Sequence, residues 1–289
     1  MKIAIFGSRR QSKSQVNKLF EILERYGAEI YLQEKFCIYL KETFGMQFKK
    51  AGLITSDDFE ADLAVSIGGD GTFLRTASHV GKKDIPVLGI NAGRLGFLAD
   101  VGEADLEDTF ADIYTGNYRI ELRSQLHLST EHKDFTGYNN ALNEIAILKQ
   151  DSASMITVHA NINNEYLTSY EADGLIIATP TGSTAYALSV GGPVITPTAA
   201  NFVIAAVAPH TLSTRPLVVP DESVITLDVE SRNNSFLISL DGRSNVFRTG
   251  TRLTISKAGH YLKVLKRGEN TFYDTLRTKM KWGIDPRQS

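Results

Sequence analysis

The chain has 289 residues, and 31 Lys and Arg against 33 Asp and Glu leave a formal net charge of −2 and a pI near 6.3. That balance argues against a nucleic-acid binder, whose hallmark is a basic face. Hydrophobic content of 42% and charged content of 22% fit a globular chain of one large or two ordinary domains. The single cysteine, Cys37, excludes an intrachain disulfide and a cysteine-rich metal site, and its place between Phe36 and Ile38 suits a buried small side chain. Met1-Lys2 runs directly into the strand-like Ile3-Ala4-Ile5-Phe6, and the apolar run at 202–208 stops at Pro209, too short to span a bilayer. A cytoplasmic protein with no membrane partner is expected.

Taken in order, the first part alternates strand and helix patterns. Residues 3–6 read as a strand ending in Gly7-Ser8. Val16, Leu19, Phe20, Leu23 and Tyr26 follow at helical spacing, closed by Gly27. Residues 29–32 read as a strand, and Phe36, Tyr39, Leu40 and Phe44 as a helical stripe. A strand at 63–67 enters a glycine-rich turn, and a helix at 73–79 leaves it. A strand at 86–91 and a helix marked by Leu106, Phe110 and Ile113 complete the series. Such alternation builds a parallel sheet covered by helices, with ligands at the carboxyl ends of the strands.

After Asn117 the pattern becomes mostly β. Strand-like runs occur at 118–130, 141–148, 155–162, 169–178, 202–208, 223–229, 236–240 and 252–256, with one helix expected at 183–190. Asp241-Gly242 between two such runs is a hairpin signal. The expected division is therefore 1–117, an α/β domain, 118–270, a β-rich domain, and 271–289, a helical tail whose docking the pattern leaves open.

Chemistry is expected first in the turn Gly68-Gly69-Asp70-Gly71-Thr72. Its glycines bring main chain close to a ligand, and a helix N-terminus with open N–H groups attracts phosphate; Thr72 is a candidate cap for that helix. Asp70 beside a phosphate needs a role, either holding a metal ion or taking a proton from an attacking hydroxyl. The same residues also suit an ordinary turn. Further polar clusters are Asn91-Ala92-Gly93-Arg94-Leu95-Gly96-Phe97-Leu98, Asn143-Glu144 within an apolar run, and Asp173-Gly174-Leu175-Ile176-Ile177-Ala178-Thr179-Pro180-Thr181-Gly182-Ser183-Thr184-Ala185-Tyr186. Neighbouring strand residues face opposite ways, so Asn143 and Glu144 can meet one ligand only at a bulge or strand end. Ser183 or Thr184 could equally cap a helix without any ligand. A Walker loop, the dinucleotide glycine fingerprint, a Gly-x-Ser-x-Gly elbow and an HExxH motif are all absent from the sequence.

Together with Gly191-Gly192-Pro193, Pro209-His210 and Arg215-Pro216, these clusters stand in the order found in NAD kinases, and from about 64 to 220 the chain resembles that family. Diacylglycerol kinases carry a similar glycine–aspartate turn but continue directly into Asn-Glu, where this chain has Phe73-Leu74-Arg75. The resemblance implies a Rossmann-like α/β domain plus a β-rich domain, with the active site in the cleft between them. It further implies transfer of a phosphoryl group from ATP, or another donor, to the 2′-hydroxyl of the adenosine ribose of NAD, giving NADP. A divalent metal ion such as Mg²⁺ would assist, and a homo-oligomer, dimer or tetramer, is the implied assembly. By position, Asp70 would be the base, with Gly68, Gly69 and Thr72 in the phosphate-donor turn. Gly71, Arg75, Asn143, Glu144, Asp173, Thr184, Ala185, Tyr186 and Ser189 would bind NAD, Asn143 and Glu144 at the adenosine and Asp173 near the nicotinamide. His210 would reach a dinucleotide in a neighbouring subunit, or simply lie in a surface loop. No metal ligand is assigned on the protein. Arg243 stands where many bacterial members have Gln, which leaves its contact open. A non-catalytic dinucleotide sensor and a lipid kinase are the competing expectations.

Overall fold

A computed structural model describes residues 1–9, 11–48, 50–131, 134–150, 154–268 and 271–283. The chain forms two compact units, Met1–Leu122 with Leu262–Ser289, and Arg123–Tyr261.

The first unit is built on a seven-stranded sheet in the order Gly52–Ile54, Glu29–Gln33, Lys2–Gly7, Leu63–Ile67, Val87–Ile90, Leu262–Arg267, Tyr118–Arg123. The pairs from Gly52–Ile54 across to Leu262–Arg267 run parallel. Ile3, Ala4, Ile5 and every residue of Leu63–Ile67 are buried, as expected for strands covered on both faces. The covering helices are Lys13–Arg25, Glu34–Phe44, Asp70–Val80 and Leu106–Thr115. From Lys2–Gly7 the chain first builds outward on one side, then crosses to the other at Leu63–Ile67. The carboxyl ends of these two adjacent strands therefore flank the point where strand order reverses, the place where open α/β sheets bind ligands.

The second unit contains two six-stranded sheets whose paired strands run antiparallel. Leu128, Val158 and Ile225 from one sheet and Ile147, Leu175, Ile177 and Phe236 from the other share a single core, so the sheets pack face to face. The outer face of the second sheet is apolar too. There Ala146, Ile176 and Ala178 lie under Ala187, Val190 and Ile195. Burial on both faces explains the unbroken run Leu175-Ile176-Ile177-Ala178, which a half-exposed strand would interrupt with polar residues.

Several boundaries differ from those read in the sequence. The run at 118–130 is two strands, Tyr118–Arg123 in the first unit's sheet and Leu126–Thr130 in the second unit. Leu262–Arg267 returns to the first sheet, where its cations pair with that unit's acids, Lys266 with Asp100 at 2.6 Å and Arg267 with Asp112 at 2.8 Å. The helix Phe272–Met280 belongs to the first unit as well, while residues 284–289 of the expected tail lie outside the described residues. The run at 169–178 breaks at Asp173, where the chain passes from Glu165–Ala172 in one sheet to Gly174–Ala178 in the other. The helix expected at 183–190 is a 3₁₀ turn at Thr181–Thr184 followed by the short helix Tyr186–Ser189.

Candidate active site

The strand Leu63–Ile67 leads into Gly68, whose φ of 153° and close neighbours require glycine: a Cβ would lie 2.4 Å from Thr72 Oγ1. Its N–H donates to Ile90 O at 2.9 Å, tying the turn to the next strand. Gly69 and Gly71 are different. A Cβ on either would meet no atom within 4 Å, so the fold itself does not demand glycine there. What the missing side chains leave is access to the main chain. Gly69 is the N-cap, without a side-chain capping bond, and the helix starts at Asp70. Its first N–H groups are therefore open to an anion.

Thr72 does not cap this helix, contrary to the sequence expectation. It is the third helical residue and buried, and its Oγ1 accepts from Arg75 Nη2 at 3.1 Å. The threonine thus braces the turn from behind and fixes the guanidinium of Arg75 one helical turn along.

Asp70 is held by the main chain of the loop after Val87–Ile90. Its Oδ2 accepts from Phe97 N–H at 3.0 Å, and its Oδ1 from Leu98 and Ala99 N–H, each at 3.0 Å. Lys279 Nζ donates to Oδ2 at 3.2 Å. Burial pushes the carboxyl up. The Ala99 N–H, the Lys279 charge and the Leu98 and Phe97 N–H groups outweigh that and hold it below its ordinary value. Gly96 makes the contact possible, since a Cβ there would sit 2.1 Å from Asp70 Oδ1. The end of the cluster at 91–98, from Gly96, together with Ala99 is therefore the socket of the turn's aspartate.

The second unit repeats this device. Asp241 opens the two-residue hairpin between Ser235–Leu240 and Arg243–Arg248, where φ is positive at both Asp241 and Gly242, 49° and 80°. Its buried carboxylate accepts from three consecutive N–H groups, Leu142 at 2.7 Å, Asn143 at 2.8 Å and Glu144 at 3.2 Å. These bonds stabilise a bend at Leu142-Asn143, so that Asn143 sits before the strand Glu144–Lys149 and Glu144 opens it. The two residues escape the opposite-face rule at a strand end. Arg243 fixes the neighbouring segment by donating to the carbonyls of Tyr138 and Asn140.

Asn143 O accepts from Thr179 N–H at 2.8 Å, and a Cβ on Gly182 would lie 2.0 Å from it, so the Thr-Pro-Thr-Gly turn is pressed onto Asn143. Glu144 accepts from Tyr186 N–H. Burial first, then the Asp241 carboxylate, push Glu144 up to about 7, with the Tyr186 N–H pulling the other way. Asn143 Oδ1 and Glu144 Oε2 are both buried without a hydrogen-bond partner. Two orphaned acceptors on consecutive residues are costly unless a ligand or water supplies donors.

Tyr186 reaches this group through its N–H, and Thr184, Ala185 and Ser189 lie beside it in the segment of the 3₁₀ turn and short helix. Ala185 N–H donates to Gly182 O, Thr184 Oγ1 to Thr181 O and Ser189 Oγ to Tyr186 O, while Tyr186 remains exposed. Ser183 is no helix cap: it is buried, donates to Pro180 O and accepts from Ile195 N–H. Asp173 lies at the other end of the strand that pairs with Glu144, where it forms an ion pair with Lys149 at 2.6 Å. His210 joins that end through its N–H to Glu171 O. The length of Gly174–Ala178, roughly 13 Å, separates these two from Asn143-Glu144. Sequence reading missed Asp241 and Lys279. The hairpin signal already accounted for Asp241, and each residue meets its partners across long stretches of chain.

A switch-point helix N-terminus with an ionised aspartate in its first turn marks the first unit as an α/β fold suited to binding phosphate, and the second unit offers two unsatisfied acceptors. Residues 3–118 match the ATP-NAD kinase N-terminal domain and residues 142–267 the ATP-NAD kinase C-terminal domain. The chain is 52% identical to an NAD kinase of Bacteroides fragilis over 289 residues, covering 99% of this chain and 100% of that one. It is 44% identical to an NAD kinase of Porphyromonas gingivalis over 288 residues, covering 99% of each. A crystal structure of an NAD kinase from Archaeoglobus fulgidus in complex with ATP superposes with a TM-score of 0.77 at 27% identity, covering 97% of this chain and 99% of that one. Yeast NADH kinase complexed with NADH shares the fold, with a TM-score of 0.90 at 22% identity over 100% of this chain and 89% of that one. The chain belongs to the ATP-NAD kinase family.

Proposed function

We propose that this enzyme transfers the γ-phosphoryl group of ATP to the 2′-hydroxyl of the adenosine ribose of NAD, yielding NADP and ADP. The observation that carries the proposal is the Asp70 carboxylate, ionised and gripped by three main-chain N–H groups in the first turn of an open helix N-terminus. The N–H groups around Gly69 and Gly71 hold the donor phosphates. Phosphoryl transfer through a loose transition state asks mainly for alignment and charge neutralisation, so a carboxylate of lowered basicity serves. Asp70 receives the hydroxyl proton as the new bond forms, a contribution of roughly 10²–10⁴ in rate.

Acceptor recognition falls to the second unit. Asn143 Oδ1 and Glu144 Oε2 are acceptors in need of donors, which the adenosine half of NAD supplies as hydroxyl and amino hydrogens. Thr184, Ala185, Tyr186 and Ser189 border the same place. Asp173, a strand's length away, suits the far end of an extended dinucleotide. Among the described residues no three His, Cys, Asp or Glu side chains converge as a metal cage. The residues fit a divalent cation only as part of the nucleotide, carried by phosphate and water oxygens, and the roles above rest on the protein groups.

The test is direct. Purified protein incubated with NAD, ATP and Mg²⁺ is predicted to form NADP, read by an NADP-specific dehydrogenase, and to leave diacylglycerol unphosphorylated. Binding of NAD without any NADP formation would make the chain a sensor and overturn the proposal.

A further inference from the structure

The helix Phe272–Met280 is placed so that its last turn reaches the site. It begins in a capping box, with Thr271 Oγ1 accepting from Asp274 N–H at 3.2 Å and the Asp274 carboxylate accepting from Thr271 N–H at 3.1 Å. Phe272, Thr275, Leu276 and Lys279 recur at i, i+3, i+4 and i+7, on one face. Thr275 and Leu276 are buried, the Phe272 ring lies 6.2 Å from that of Phe97, and Lys279 Nζ sits 4.5 Å from the Phe97 centroid. This docking delivers the ammonium group to Asp70 Oδ2 at 3.2 Å.

The four partners of Asp70 are not equivalent. Three are main-chain N–H groups of one short loop, which cannot leave without unfolding it. The fourth is a flexible side chain, one-third exposed. A hydroxyl that hands its proton to Asp70 needs an open acceptor position, and the one that can be vacated is Lys279's, at Oδ2. The Phe97 ring offers the ammonium a resting place once it leaves Oδ2. Arg75, the cation nearest along the glycine-turn helix, is already committed to Thr72 Oγ1.

Building on the kinase reading above, we propose that Lys279 is a further residue of the phosphoryl-transfer site. It aligns Asp70 before the substrate binds, yields Oδ2 to the ribose hydroxyl, and then faces the negative charge of the γ-phosphoryl group. In the step itself the 2′-oxygen bonds to the γ-phosphorus and the bond to the β,γ-bridging oxygen breaks, its electron pair leaving with ADP. The hydroxyl proton passes to Asp70, and Lys279 keeps its own proton throughout.

Lys279→Met preserves the stem over Phe97 and removes the charge, whereas Lys279→Arg retains a cation. The methionine variant is expected to lose about 10²-fold in kcat, with the KM for NAD within roughly threefold of wild type and a melting temperature within about 4 °C of it. Lys279 is the charged side chain facing Asp70, the other partners being main-chain N–H groups. Its loss therefore raises the pKa of Asp70 in the free enzyme and moves the acid limb of the kcat/KM profile to higher pH. The arginine variant is expected to recover at least about a tenth of wild-type turnover. A methionine variant with kcat within about twofold of wild type would overturn the proposal. So would equal losses in both variants with a lowered melting temperature and an unmoved pH profile, which would mark a purely structural contact. Wild-type protein that forms no NADP overturns the kinase reading itself.

Discussion

Asp70 and Asp241 solve the same problem in the two units. Each carboxylate accepts from three consecutive main-chain N–H groups and so fixes a segment that would otherwise have no regular hydrogen bonding. Their surroundings set them apart. Asp70 has a lysine and stays ionised, whereas burial pushes Asp241 up, and its carboxylate in turn raises Glu144. Glu144 therefore titrates near neutrality. In the folded chain it holds its proton up to about 7, and in the unfolded chain only to its ordinary 4.5. Between those values the folded state binds more protons, so its stability falls as pH rises through the window. Glu144→Gln removes this loss. Without ligand, the variant is predicted to gain stability on wild type by up to about 3 kcal/mol between pH 5 and pH 8, measured as urea melts at both. Parallel curves at the two pH values would contradict the burial and charge coupling assigned to Glu144.

At the scale of elements, the glycines divide by what requires them. Gly96 is required by contact, since a methyl group there would drive into Asp70 Oδ1 and lie 3.0 Å from Ala99 O. Gly69 is open in the fold, and only the proposed donor phosphate gives a reason for glycine there. Gly96→Ala is predicted to lower both stability, by about 1–3 kcal/mol, and turnover. Gly69→Ala is predicted to leave stability within about 0.5 kcal/mol while raising the KM for ATP at least about tenfold. Melting curves and steady-state kinetics on the pair check this; equal effects from both substitutions would remove the phosphate role from the turn. The glycine–aspartate turn was legible in the sequence because its signal is local: β-branched strand, three glycines, helical spacing. The socket at 96–99 was visible as the end of a cluster but not as Asp70's partner, because main-chain donors leave no mark in residue type. The cap was misread for a similar reason. Thr72 has the right chemistry, but the helix already starts at Asp70, and Gly69 leaves its first turn open.

Across the whole molecule, the change from alternating to β-rich pattern located the second fold class, and the unbroken apolar run of Gly174–Ala178 reflects a sheet covered on both faces. The return of Leu262–Arg267 to the first sheet was not legible. Leu262–Arg267, with three cations among its six residues, lies beyond the last strand-like run at 252–256, and long-range partners such as Lys266 and Asp100 mark its home. The same holds for Lys279, which meets Asp70 across 209 residues of chain. In the proposed mechanism the first unit carries the chemistry and the second chooses the acceptor. Asp70→Asn separates the two, because the amide retains the side chain's size but cannot take the proton. Turnover and NAD binding should be measured on the same preparation. NADP formation is predicted to fall by at least about 10²-fold, with NAD affinity within about threefold of wild type. Near-full turnover in Asp70→Asn would contradict the account at its centre.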